Sequence, residues 1–200
     1  MASNDKPVTH ESADEASSVD PHLGHTLRGL RQSRDLSLAD VAKGTQISAS
    51  FLSLVENGKS DMTIGRLTRL VQFYGISFTD LLPRSEGTDP DVVRKSERPV
   101  VHSRTEGIDI FLLTPDTNRG MMTMLLEFEP GSARNEHGRH AGEEFVHVLQ
   151  GELLLELGGR VHRLKAGDSA YYAGDRPHLM RNASTHRRLR VLCVDSSRML

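Results

Sequence analysis

Residues 37–60 read SLADVAKGTQISASFLSLVENGKS, and the fold of the N-terminal half depends on where this stretch is divided. Ser37-Leu38-Ala39-Asp40 has capping-box spacing: the hydroxyl accepts from a free backbone N–H three residues on, and the acid reaches back to the cap. A helix is expected from there through Lys43. Ser48 stands where the next helix would begin, with Leu52 and Val55 as its inward anchors. Ala42 is small where two helices must cross closely, and Ile47 is apolar where the turn tucks under. Ala49, Ser50, Ser53 and Leu54 are left facing outward near the start of the second of these helices.

The helical pattern extends on both sides. Upstream, Leu23, Leu27 and Leu30 line one helix. Downstream, Thr63 caps a helix holding Ile64, Leu67, Leu70 and Val71, and Ser77 opens a short one ending near Leu82. This makes five short helices over residues 23–82. Residues 1–22 are rich in Ser, Ala, Asp and Glu and too poor in bulky apolar side chains to offset the entropy of ordering, so a disordered acidic tail is expected. Residues 83–97 (PRSEGTDPDVVRKSE) are polar, carry two prolines and a glycine, and show neither structural period, as a linker does.

Beyond residue 97 the period changes. IDIFLLT, MMTMLLEFE, EFVHVLQ, ELLLELG, RVHRLK, SAYYA and RRLRVLCVD are short, apolar or alternating, and separated by turn residues. Gly158-Gly159 suits a hairpin turn, which requires positive φ. An all-β sandwich or barrel is expected over residues 98–200. The chain of 200 residues carries a net charge of -2, 36% apolar and 26% charged residues. It has no apolar run near bilayer length, so no membrane partner is expected. The acidic N-terminus is unlike a secretory leader, and a cytoplasmic protein is expected. Cys193 is the single cysteine, which excludes an internal disulfide and a CxxC zinc site.

The β half holds the cluster HGRHAGEEFVHVLQG at residues 137–151. Four extended residues span about 13 Å, so His140 and Glu144 can share an ion only if the chain bends between them. Ala141-Gly142 permits that bend. On the strand that follows, Glu144 shares a face with Val146 and Val148, and His147 points away. His178, at the start of a later strand, offers a third donor. Two imidazoles and a carboxylate suit Fe, Mn, Ni or Zn as the divalent ion and leave coordination positions open. Three readings stand: a His140, Glu144, His178 triad, the same triad with His137 as a distorted fourth ligand, or a metal-free polar lining. Arg134, Met124 and Tyr171 are candidate pocket residues by strand position.

Two family resemblances follow from these residues. Residues 23–82, with the run FLSLVENGKS followed by TIGRLTRLVQFYG, resemble the Cro-like, xenobiotic-response-element type of helix-turn-helix domain. The resemblance implies that Ser48 to Leu54 lie in the major groove and that Asn57 and Lys59 hold phosphates. Two positions depart from that pattern: Gln46 stands where glycine is frequent, with Gly44 two residues earlier, and Met62 replaces the proline common before the fourth helix. The alternative is a purely oligomerising bundle, with Arg28, Arg31 and Arg34 as a solvated face.

Residues 98–197 resemble a cupin, a double-stranded β-helix, through Gly131, Glu144, Gly151, Gly167, His178 and Asn182. The second histidine of the family's first motif is His140, and the position of the first is Gly138. Together the halves are an α+β multidomain chain similar to bacterial one-component regulators, including repressors of amine and amino-acid utilisation. That resemblance implies a homodimer on double-stranded DNA at an inverted repeat, with a barrel that senses a small polar effector: an amine, an amino acid or an acid. The HAGEE spacing also resembles the hydroxypropylphosphonate epoxidases, which implies the alternative of a non-heme iron oxidase with His140, Glu144 and His178 on the iron.

Overall fold

The computed structural model describes residues 21–76, 78–81, 91–114 and 120–196. The tail over 1–20 and the first part of the linker lie outside the described residues. Four α-helices come first: α1 (Pro21–Gln32), α2 (Leu38–Thr45), α3 (Ala49–Glu56) and α4 (Ile64–Tyr74). The capping box forms as its spacing predicts, with the Asp40 N–H donating to the Ser37 hydroxyl at 3.2 Å and the Ser37 N–H donating to Asp40 at 2.8 Å. Ser48 and Thr63 cap α3 and α4 in the same way.

The expected fifth helix is a correction. Phe78–Leu81 is one 3₁₀ turn, so the helical unit has four helices. Its described apolar anchor is the fully buried Leu81, and in the sequence Pro83 follows too soon for a longer helix to propagate.

Leu27, Val41, Ile47, Leu52, Val55, Leu67, Leu70 and Val71 form the helical core. Close approaches are made at glycines: a Cβ at Gly24 would run into the Val55 carbonyl, and one at Gly44 into the Phe73 ring, while Ala42 packs partly buried against the core. Arg31 does not belong to a solvated face. Its guanidinium grips the buried Glu56 at 2.8 and 2.9 Å and donates to the Leu36 carbonyl, fixing α1 against the end of α3.

The second half is a β-sandwich with, among the described residues, nine antiparallel strands: β1 (Val100–Ser103), β2 (Ile108–Leu112), β3 (Met122–Phe128), β4 (Glu143–Gln150), β5 (Glu152–Leu157), β6 (Arg160–Lys165), β7 (Ser169–Ala173), β8 (His178–Asn182) and β9 (Leu189–Asp195). One sheet runs β1-β2-β3-β9-β4-β7 and the other β6-β5-β8. Strict alternation in β2, β5 and β9 puts one face of each strand inside. The β5–β6 hairpin turns at Gly158 and Gly159, with φ of 57° and 82°.

The two halves meet along α4. The Ile64 N–H, at the first turn of α4, donates to Glu106 at 2.7 Å. Asp61 accepts from the N–H and hydroxyl of Thr105, each at 2.9 Å. Arg69 pairs with Glu136 at 3.1 Å, and Gln72 donates to the Arg139 carbonyl at 3.4 Å. Among the described residues no helix is long and apolar enough to cross a membrane.

Candidate DNA-reading helix and metal centre

α3 turns Leu52 and Val55 into the core, because residues three apart share a helical face. Of the residues assigned to the DNA side, Ser48, Ser50, Leu54, Asn57 and Lys59 are exposed and Ala49 and Ser53 half-buried. Leu54 is 44% exposed, a cost in apolar surface left in water that the fold does not recover internally. Asn57 is the C-cap of α3 and donates to the Ser53 carbonyl at 2.7 Å, so its amide is already engaged. Arg66 of α4 lies over the Phe51 ring at 4.3 Å, placing a guanidinium beside α3. Asp61, Ile64, Arg69 and Gln72 bond across to the sandwich, none of them in α3, and Ser48 and Ser50 at the leading turn of α3 are exposed.

In the sandwich, pairing register places the site. Glu144 on β4 stands opposite Tyr172 on one side and Asp195 on the other, so three polar side chains form one inward row. Glu144 and Asp195 are 4% and 5% exposed, so both carboxylates need partners. His178 enters from β8 of the other sheet, held by backbone pairing with Gly138. His140 precedes the bend at Gly142, where φ is 82°, which supplies the change of direction that the spacing demands.

The donor atoms of His140, Glu144 and His178 all lie within 4.8 Å of one another. His140 Nε2 is 3.1 Å and His178 Nε2 3.3 Å from the same oxygen, Glu144 Oε2. The outer ring nitrogens contact backbone carbonyls: His140 Nδ1 that of Ala141 at 3.0 Å, and His178 Nδ1 that of Arg176 at 2.9 Å. These carbonyls can only accept, so each Nδ1 carries a proton and each Nε2 presents its lone pair toward Glu144. Two lone pairs facing one carboxylate oxygen repel unless a proton or a cation stands between them. Second contacts of this kind are what orient imidazoles on a metal.

In the metal-free chain a proton takes that role at His140. Burial opposes its charge, but the Glu144 bond, the Ala141 carbonyl and Asp195, 3.6 Å away, outweigh burial and raise it to about 9. Burial pushes the Glu144 carboxyl up, yet the His140 bond and the neighbouring imidazoles hold it below its ordinary value. Burial keeps His178 below the usual imidazole value, so it is neutral. The donor set fits a divalent cation, which when bound would supply Lewis acidity and open positions for a ligand.

His137 does not join the three. It is about half exposed and contacts Glu156 at 3.2 Å. Gly138 lies so close to His178 that a side chain there would strike the imidazole, which leaves no room for a further side-chain donor at that position. Tyr171 is also a correction: it is 65% exposed, and its neighbour Tyr172, 3% exposed, faces the interior. The SAYYA alternation leaves both parities open, and the register with Glu144 decides it. Asp195 and Glu106, the other buried acids at the site and at the contact between the halves, have no local sequence signal.

Residues 22–83 match the family described as helix-turn-helix domain, and residues 124–195 the cupin domain. The chain is therefore a helix-turn-helix domain followed by a C-terminal cupin domain. The HTH-type transcriptional regulator PuuR of Escherichia coli K12 is 28% identical over 162 residues, covering 80% of this chain and 88% of that protein. SutR, an HTH-type transcriptional regulator of the same organism, is 24% identical over 160 residues, 80% of this chain and 86% of that one. An HTH_3 family transcriptional regulator from Vibrio cholerae superposes with a TM-score of 0.69 at 20% identity, covering 90% of this chain and 97% of its own. Hydroxypropylphosphonic acid epoxidase from S. wedmorenis superposes at a TM-score of 0.46 and 19% identity over 89% of this chain and 98% of its own, a likeness that carries no argument about activity. The chain is a DNA-binding transcriptional regulator with the two-domain layout of PuuR and SutR.

Proposed function

We propose that the chain acts in the cytoplasm as a homodimeric repressor on an inverted-repeat operator. Its β-sandwich, a double-stranded β-helix in this reading, binds a divalent metal through His140, Glu144 and His178 together with a small polar effector, and thereby alters operator affinity. Ser48, Ala49, Ser50, Ser53 and Leu54 meet the major groove, and Lys59 and Asn57 the phosphates. Serine hydroxyls and apolar contacts on thymine methyls discriminate bases weakly compared with bidentate Arg or Asn contacts, so two half-sites are needed for useful specificity.

The observation that carries the sensing link is Glu106. This buried carboxylate accepts from the Ile64 N–H of α4 at 2.7 Å, the Asn135 N–H at 2.7 Å and the Ser103 hydroxyl at 3.1 Å. Asn135 lies in the segment that also carries His140, and that segment touches α4 again through Glu136 and Arg139. A ligand that shifts residues 134–140 therefore pulls on the positive end of α4, which shares a core with α3.

Fluorescence anisotropy with a selected operator tests the link. The reading predicts that Mn(II) changes wild-type affinity about 5-fold or more, within the usual range of such couplings. Glu106→Gln should keep its metal and its metal-free operator affinity but lose most of the change. An operator affinity indifferent to metal and to every small ligand would refute the sensor.

A further inference from the structure

We propose that the sandwich interior holds an oxyanion subsite built from Arg134 and Tyr172, and that its ligand is a small carboxylate-type anion with a short apolar body. The inference rests on the reading of the β half as a ligand-binding sensor and names the chemistry of what it binds.

Arg134 is positioned by β8. Its N–H donates to the Met180 carbonyl at 3.1 Å, next to the bridge between Ala133 and Arg181. Directly opposed residues of an antiparallel pair project to the same face. Met180 is fully buried and Arg181 exposed, so the Arg134 side chain enters the interior. Its positive charge is felt by Glu144, Tyr172, His178 and Cys193, groups contributed by β4, β7, β8 and β9. Yet among the described residues its guanidinium makes no hydrogen bond or ion pair, whereas Arg31, Arg69, Arg163, Arg188 and Arg190 all have carboxylate partners.

Tyr172 supplies the second donor. Its hydroxyl is buried and meets no partner at hydrogen-bonding distance, although the Glu144 carboxylate is close enough to act on it. The ring stands opposite Glu144 in register and 5.3 Å from the His178 ring, so the hydroxyl lies beside the triad. A buried hydroxyl without an acceptor is unusual in a native protein, and a ligand oxygen would satisfy it.

The acids nearby contact histidines, Glu144 with His140 and His178 and Asp195 with His140, which leaves the Arg134 guanidinium as a cation of this interior that no carboxylate pairs. A planar guanidinium with parallel N–H groups matches a carboxylate or similar oxyanion and repels an ammonium. The adjoining inward row, Ala170, Val146, Cys193 and Met124, is apolar or only weakly polar and offers a wall for a short aliphatic chain.

Calorimetric titration of the full-length protein, metal-loaded and metal-free, with butanoate, butanesulfonate, butylammonium and butanamide tests this. The subsite predicts that one or both anions bind and that the cation and the amide do not. Arg134→Gln should weaken the anion about tenfold or more with metal content and melting temperature unchanged, Arg134→Lys should recover part of the loss, and Tyr172→Phe should weaken it several-fold. Preference for butylammonium, no anion binding at millimolar concentration, or anion binding that needs metal but ignores Arg134→Gln would each overturn it. If Arg134→Gln does not fold, unchanged anion affinity in Tyr172→Phe, which removes one oxygen from a packed ring, refutes the two-donor subsite and a several-fold loss supports it. Operator affinity measured in parallel separates the two readings: an anion that binds through Arg134 without altering DNA affinity leaves the subsite standing and removes the sensor.

Discussion

Gln46 ends α2 with φ of 58°, the left-handed region that glycine adopts freely and other residues do not. The strain on an L-residue there is roughly 1–2 kcal/mol, and glycine's greater loss of chain freedom returns about 0.5–1 kcal/mol of that. Gln46→Gly is therefore expected to stabilise the helical unit by about 0.5–1 kcal/mol, read as a higher melting temperature. At His140 the decisive quantity is a proton. The folded, metal-free value of about 9 lies above the ordinary 6.5, so protonation of His140 contributes stability fully below about 6.5, and that contribution is lost as pH rises through 9. A ligating nitrogen must be bare, so metal has to displace this proton. Apparent metal affinity should rise about tenfold per pH unit from 7 to 9 and level off above, and His140→Ala should remove the metal. A flat profile in wild type would mean that the metal does not contact His140.

At the scale of elements, the parts legible in the sequence were those set by local chemistry. Ser37, Ser48 and Thr63 announced helix starts because a hydroxyl satisfies N–H groups within its own turn, and Gly158-Gly159 announced a hairpin because few residues take two positive φ angles in a row. The triad of His140, Glu144 and His178 was legible through spacing plus family resemblance. What escaped reading depends on distant partners. The pull of α4 on Glu106 spans 42 residues, the choice of Tyr172 over Tyr171 needs the β4–β7 register, and the close helix approaches fall on Gly24 and Gly44 because their neighbours come from other helices. Pairing of Arg31 with Glu56 likewise takes Arg31 out of the solvated face to which the charge pattern had assigned it. Lys59, exposed beyond the end of α3, remains a clean probe of the DNA side. Lys59→Ala should weaken operator binding and reduce the slope of log affinity against log salt by about one; an unchanged slope would take Lys59 out of the phosphate contacts.

For the whole molecule, the proposed function assigns DNA reading to the helices and sensing to the sandwich, with α4 between them. The sandwich grips α4, and the leading turn of α3 is left to solvent, so DNA and effector can be engaged together. Two copies related by a two-fold axis would present two such turns, and half-sites about 34 Å apart, or a multiple, would then lie on one face of the duplex. Selection from a random DNA pool with the purified full-length protein tests this account most directly. Enrichment of an inverted repeat with that spacing is the predicted result, and failure to enrich any sequence, together with stoichiometric iron on the protein, would contradict it in favour of an iron enzyme.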